Sequence, residues 1–171
     1  MKAIMVNASP NICEKMANGD CTILVKKSMP KIEGPFKCYI YCTKESKRRY
    51  LDHRFNTAIK GLSHHSEMGK VIGEFICDRI TQYNCDRYFQ EYFVAGYIGA
   101  YMPLREMSLT QKDLMAYGKG KSLYGWHISN LIIYDEPREL TEFFTPIGKR
   151  PSYLIERPFA GWGYVEEKED K

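Results

Sequence analysis

The chain has 171 residues, 44% of them hydrophobic and 27% charged, a formal net charge of +4 and a pI near 8.6. These values describe a folded chain with an ordinary core and exclude a disordered or strongly polyanionic protein. They permit a polyanionic partner without demanding one, since dedicated nucleic-acid domains often exceed a pI of about 9. One domain over residues 1–171 is the simplest expectation.

The elements read in chain order give an α+β pattern. Lys2 to Val6 reads as a first strand. Ser9-Pro10 then opens a short helix, with Pro at its first position, Ile12 and Met16 on its apolar side, and Gly19 at its end. Thr22 to Lys26 is a second strand and Phe36 to Tyr41 a third, in which Phe36, Cys38 and Ile40 alternate with Lys37, Tyr39 and Tyr41. Between Lys44 and Gly69 the periodicity breaks down into a basic excursion holding Lys47, Arg48, Arg49 and Arg54. It reads either as a solvated loop or as a phosphate-contacting arm, because Tyr50, His53 and Phe55 interleave the cations.

Val71 to Ile80 is a strand rich in β-formers, with Gly73 where another backbone would approach closely. Arg87 to Ile98 is aromatic-rich and fits either strand or helix. Ser108-Leu109-Thr110-Gln111 has the form of a capping box for a helix ending at Gly118, followed by the basic turn Gly118-Lys119-Gly120-Lys121. Trp126 to Tyr134 reads as a long strand, Pro137 to Phe144 as a short helix, and Gly161 to Glu166 as a last strand. The acidic tail through Lys171 is expected to fray, at 167–171 above all. Short strands at both ends of the chain favour a small mixed barrel flanked by short helices, in which the terminal strands pair and exposed edges disappear.

No run approaches the roughly 18 apolar residues that cross a bilayer, and the apolar run in Met1 to Asn7 is too short for a signal peptide. A cytoplasmic protein without membrane contact is expected. Its six cysteines are then expected as free thiols. Cys77, Cys85, His53, His64 and His65 lack the paired spacing of a zinc site, so no metal and no cofactor is expected.

Several landmarks occur in order: Gly19-x-x-Thr22-x-x-Val25-Lys26-Lys27-x-x-Pro30-Lys31, Tyr39-Ile40-Tyr41-Cys42-Thr43-Lys44, Gly69 to Phe75, Tyr124 to Ser129, and Trp162-Gly163-Tyr164-Val165-Glu166. In these the chain resembles the ASCH domain family, within the PUA-like superfamily of RNA-associated barrels. The resemblance implies a pocketed barrel with a G-x-K-x-x-x-x-R/K motif at the pocket mouth, here Gly19-x-Cys21-x-x-x-x-Lys26. The terminal cation is kept and the motif lysine is replaced by Cys21. In the family's acetylcytidine amidohydrolases the machinery is a lysine, a threonine and a glutamate, which map to Cys21, Leu24 and Glu74. Only the glutamate survives. Leucine has no nucleophilic atom, and nothing near Cys21 in sequence marks an activated thiolate.

The resemblance thus implies an RNA, single-stranded nucleic acid or nucleoside ligand, and no catalytic residue is assigned beyond Glu74 as a candidate. The expected ligand-binding residues are Lys26 for a phosphate or base edge, Glu74 for base recognition, Trp126 for stacking, Ser9 at the first helix N-terminus, and Lys27. Each has a plainer reading: Glu74 as a solvent-facing strand residue, Trp126 as a core lid, Ser9 as a helix cap. Lys26 and Lys27 point to opposite faces, so one at most enters a pocket. A ribonuclease using His53, His64, His65 or Glu74, a nucleoside amidohydrolase, and a non-catalytic protein-interaction module are the alternatives.

Overall fold

The computed structural model describes residues 3–44, 68–97, 99–146 and 153–167. Strand β1 (Ala3–Ala8) is buried along almost its whole length, because it pairs on both sides: parallel to β3 (Phe36–Cys42) and antiparallel to β9 (Trp162–Glu167). Helix α1 (Pro10–Ala17) follows at once. Ser9 caps it by accepting the Ile12 amide at 3.4 Å, and Pro10 occupies the first turn. Gly19, at φ 80°, reverses the chain into β2 (Ile23–Lys26).

Two long strands, β4 (Val71–Asp86) and β6 (Leu123–Arg138), form the frame. β5 (Glu91–Val94) folds back on the end of β4, and α2 (Leu104–Met107) and α3 (Gln111–Gly118) lie between β5 and β6. After a 3₁₀ turn at Leu140–Glu142, β7 (Phe143–Thr145), β8 (Tyr153–Leu154) and β9 complete the described chain. The strand order is β2-β6-β4-β3-β1-β9-β7-β8, with β5 on β4. The β4–β6 ladder shifts register at Val71/Gly73, Glu74/Ile76 and Cys77/Ile80, and such bulges bend and twist a sheet. Gly73 is required where the β6 backbone comes close to β4: a β-carbon there would lie 2.3 Å from the Ile132 carbonyl oxygen.

The bent sheet curls until its β2 end meets β1 and β9. Lys26 Nζ donates to the Asn7 carbonyl, Trp162 Nε1 to Ser28 Oγ at 2.9 Å, and the Lys31 amide to the Tyr164 hydroxyl at 3.0 Å. Side chains, rather than a continuous strand ladder, join these edges. Inside the curl pack Ile4, Val6, Leu24, Cys38, Ile40, Phe75 and Trp126. Tyr39, Tyr41, Val71, Phe143 and Val165 form a second core on the outer side of β1 and β3. Ile23, Val25, Tyr83, Met107, Leu114 and Leu123 form a third under α2 and α3.

The α+β, sheet-dominated architecture and the pairing of the terminal strands agree with expectation, and so does the alternation of β3. Three local expectations are corrected, and one open between strand and helix is resolved. Pro137 to Phe144 is not a helix: β6 runs on through Arg138, and only Leu140–Glu142 takes a helical turn. The capping box is Thr110 with Asp113 rather than one at Ser108, which is the left-handed end of α2 at φ 53°. Arg87 to Ile98 resolves into a turn and β5, with Ile98 itself outside the described residues. Glu166 and Glu167 belong to β9, where Arg138 Nη1 holds Glu167 at 2.6 Å. Most of the basic excursion, 45–67, and the tail 168–171 lie outside the described residues. Among the described residues no helix is long and apolar enough to cross a membrane.

Candidate functional site

The end of β2 sets the site. Alternation turns Leu24 and Lys26 to the inside of the curl and Ile23 and Val25 towards α2 and α3. Lys26 is the last residue of the strand and is 7% exposed, an unusual position for an ammonium. Burial pushes its pKa down from 10.5 to about 8. Its Nζ is held by the carbonyl of Asn7, which emerges at the end of β1 directly before the Ser9 cap.

Asn7 organises the opposite wall. Its amide nitrogen donates to the Phe159 carbonyl, and its backbone N–H donates to the Gly161 carbonyl at 2.9 Å, fastening the segment before β9 beside Lys26. Its side-chain oxygen Oδ1 is buried without a hydrogen-bond partner among the described residues. An unsatisfied acceptor of this kind costs about 1–3 kcal/mol, so its persistence beside a buried lysine calls for an explanation.

Both residues line a cavity of about 430 Å³. Ser9 and Thr43 lie on one side of it, Cys21 and Met107 on another, and Asp113 and Tyr117 of α3 complete the wall. Lys27, turned outward, sits 4.7 Å from the centroid of the Tyr117 ring, a cation–π pair adjoining the cavity. A cavity of this size is in the range that holds a small organic ligand.

Of the residues singled out in the sequence, Lys26 and Ser9 meet at this cavity. Glu74 does not join them. It projects from the outer face of β4, accepts the Tyr134 hydroxyl at 2.5 Å and pairs with Lys37 Nζ at 2.9 Å. Period-two alternation explains this: Phe75 and Cys77 face the inner core, so Glu74 faces away from it. Trp126 is fully buried, edge-on to Phe36 at 5.6 Å between ring centroids, and has no free face for a base to stack on.

Cys21 lines the cavity, but its thiol donates to the Ile23 carbonyl at 3.4 Å and burial raises its pKa, which disfavours a thiolate. Leu24 is core. His127 is hydrogen-bonded to Thr81 Oγ1 at 2.9 Å, away from the cavity lining. His53, His64 and His65 lie outside the described residues.

Sequence reasoning missed Asn7, Asp113 and Tyr117. The one signal for Asn7 is a polar residue closing the apolar run Ile4-Met5-Val6 just ahead of a helix cap. Asp113 and Tyr117 reach the site through tertiary packing, which no local pattern announces.

No family model matches the sequence, and no curated protein sequence matches it. Solved structures do. The ASCH protein of Zymomonas mobilis superposes with a TM-score of 0.53 at 10% identity, covering 96% of this chain and 87% of that one. A tyrosine-to-phenylalanine variant of the same protein gives 0.52 at 11% identity, covering 97% and 91%. A serine-to-alanine variant gives 0.52 at 11%, covering 96% and 88%. At this identity the similarity is one of backbone architecture, and over nearly its whole length the fold of this chain is that of an ASCH domain.

Proposed function

We propose that the chain binds a nucleoside, or one nucleotide of an RNA strand, in the cavity above Lys26. The observation that supports this reading is a buried lysine, held by the Asn7 carbonyl, at the wall of a cavity that Asn7 also lines. A base edge presents carbonyl or ring-nitrogen acceptors beside N–H donors. Lys26 retains N–H donors beyond the one given to Asn7, and the hydroxyls of Ser9 and Thr43 in the cavity lining offer acceptors. With a pKa of about 8 the amine is mostly charged at pH 7, so it also suits a phosphate. Catalysis is not part of the proposal, because Leu24 has no nucleophilic atom and the Cys21 thiol is held protonated.

The test is calorimetric titration at pH 7 with the four nucleosides and their monophosphates, on wild type and Lys26→Met. A hydrogen bond to a charged group contributes about 1.5–3 kcal/mol, so the variant should bind about 10- to 150-fold more weakly. Absence of binding by wild type at millimolar nucleoside and monophosphate would refute the proposal.

A further inference from the structure

The tip of the β4–β5 hairpin is built in a way that the cavity does not explain. Asp86 Oδ1 accepts the amides of Tyr88 and Phe89 at 2.8 and 3.2 Å, and Gln90 takes a left-handed φ of 56°. This tight turn points two adjacent aromatic rings into solvent: Tyr88 is 88% exposed and Phe89 69%, with ring centroids 4.9 Å apart. Along the segment leaving β5, Tyr97 and Tyr101 are 70% and 73% exposed. The large exposed apolar side chains from Asp86 to Met102 among the described residues are aromatic. A second hollow, of about 350 Å³, opens beside Phe89 and Phe93.

Cations border these rings. The turn after α3 lies against the hairpin: Tyr92 OH donates to the Lys121 carbonyl at 2.7 Å, and a β-carbon built on Gly120 would sit 3.6 Å from Arg87 Nε. Arg87, Lys119 and Lys121 are all exposed there. The carboxylates nearby are Asp86, engaged by the turn amides, and Glu91. The Gln111 side chain clamps β5 to α3 through both backbone groups of Tyr92, at 2.8 and 2.9 Å, so the surface is preformed. α3 links this surface to the first cavity, since Tyr117 lines that cavity two residues before Lys119.

We infer that the hairpin tip and the turn after α3 form a platform for single-stranded nucleic acid, with bases stacking on Tyr88 and Phe89 and phosphates passing over Arg87, Lys119 and Lys121. Exposed rings interleaved with cations match a strand whose bases have π-faces and whose backbone is anionic. The inference builds on the cavity reading and extends it from one nucleotide to a strand. A protein partner is the competing occupant.

The experiment is fluorescence anisotropy with a labelled oligo(A) ten-mer at 50 and 200 mM salt, alongside calorimetric titration with adenosine monophosphate. The proteins are wild type, Tyr88→Ser/Phe89→Ser and Lys119→Gln/Lys121→Gln, whose substituted side chains are all exposed. Losing aromatic stacking should weaken oligomer binding by about 5- to 150-fold. Losing two cations should lower the slope of log affinity against log salt by about 1.4. Monophosphate affinity should stay within about twofold of wild type. Oligomer binding that is absent in wild type at 50 mM salt, or unchanged in the aromatic variant, overturns the inference. Ring-dependent oligomer binding without monophosphate binding upholds the platform while refuting the cavity reading.

Discussion

Lys26 should make the folded protein less stable at neutral pH than an apolar residue of the same shape would. Its pKa is about 8 in the folded chain and about 10.5 when unfolded, because burial strips water from the ammonium. Below pH 8 both states carry the proton, and the folded state bears the whole desolvation cost of about 3 kcal/mol. Between pH 8 and 10.5 the unfolded state holds the proton and the folded state does not, so stability rises with pH across that window. Lys26→Met removes this dependence but leaves the Asn7 carbonyl without its donor, a loss of about 1 kcal/mol. The variant should therefore be about 2 kcal/mol more stable than wild type at pH 7, and the advantage should vanish as pH approaches 10. Urea unfolding of both proteins at pH 7, 8, 9 and 10 measures this, and comparing them cancels the tyrosines that titrate in the same range. A difference that stays constant from pH 7 to 10, or a variant strongly destabilised at pH 7, would refute the reasoning.

Three further outcomes follow from packing. Native labelling with a thiol reagent at pH 8 should modify Cys85 first, because it is half-buried while the other five cysteines are buried. Cys21 should react only as the protein unfolds, and rapid labelling of Cys21 would contradict its buried, protonated state. Gly73→Ala should cost about 3 kcal/mol or more in thermal or urea unfolding, since the new methyl meets the Ile132 carbonyl oxygen in the middle of the β4–β6 ladder. Glu74→Gln should lower stability by less than about 1 kcal/mol, as its ion pair with Lys37 is partly solvated, and should leave nucleoside affinity unchanged. A tenfold affinity loss in that variant would place Glu74 at the ligand after all.

Strand identity was legible wherever one face is buried. Phe36, Cys38 and Ile40 alternate with Lys37, Tyr39 and Tyr41, and the structure sends the two sets to different cores. The Ser9-Pro10 start and the Gly19 turn were legible because each answers a local backbone demand. Pro137 misled for a related reason. It suits a first helical turn, yet it also stands near the end of a strand, and pairing of β6 through Arg138 to Val71 decided between them. In the site, Lys26 was legible as a cation closing a buried strand. The faces of Glu74 and Lys26 relative to one another were not, because that relation depends on how the sheet curls. Nor was the loss of Trp126 to the core, where Phe36 and Trp162 enclose it from strands distant in sequence.

Two departures from what a stable core would choose meet at the cavity wall: a charged amine with little water and, on Asn7, an amide oxygen with no donor among the described residues. Such departures cluster where a ligand completes the interactions. If an anionic nucleotide does so, its phosphate will favour the ammonium and raise the Lys26 pKa again. At pH 9 most of the free protein carries Lys26 as a neutral amine, so binding must take up a proton, approaching one per ligand. At pH 6.5 the amine is already charged and contributes no uptake. Titrating the monophosphate at pH 9 in two buffers of different ionisation enthalpy should give different apparent heats, whose ratio to the buffer difference reports the protons taken up. The same pair of titrations with Lys26→Met should give matching heats. Equal heats for wild type in both buffers at pH 9 would mean that the bound anion does not reach Lys26.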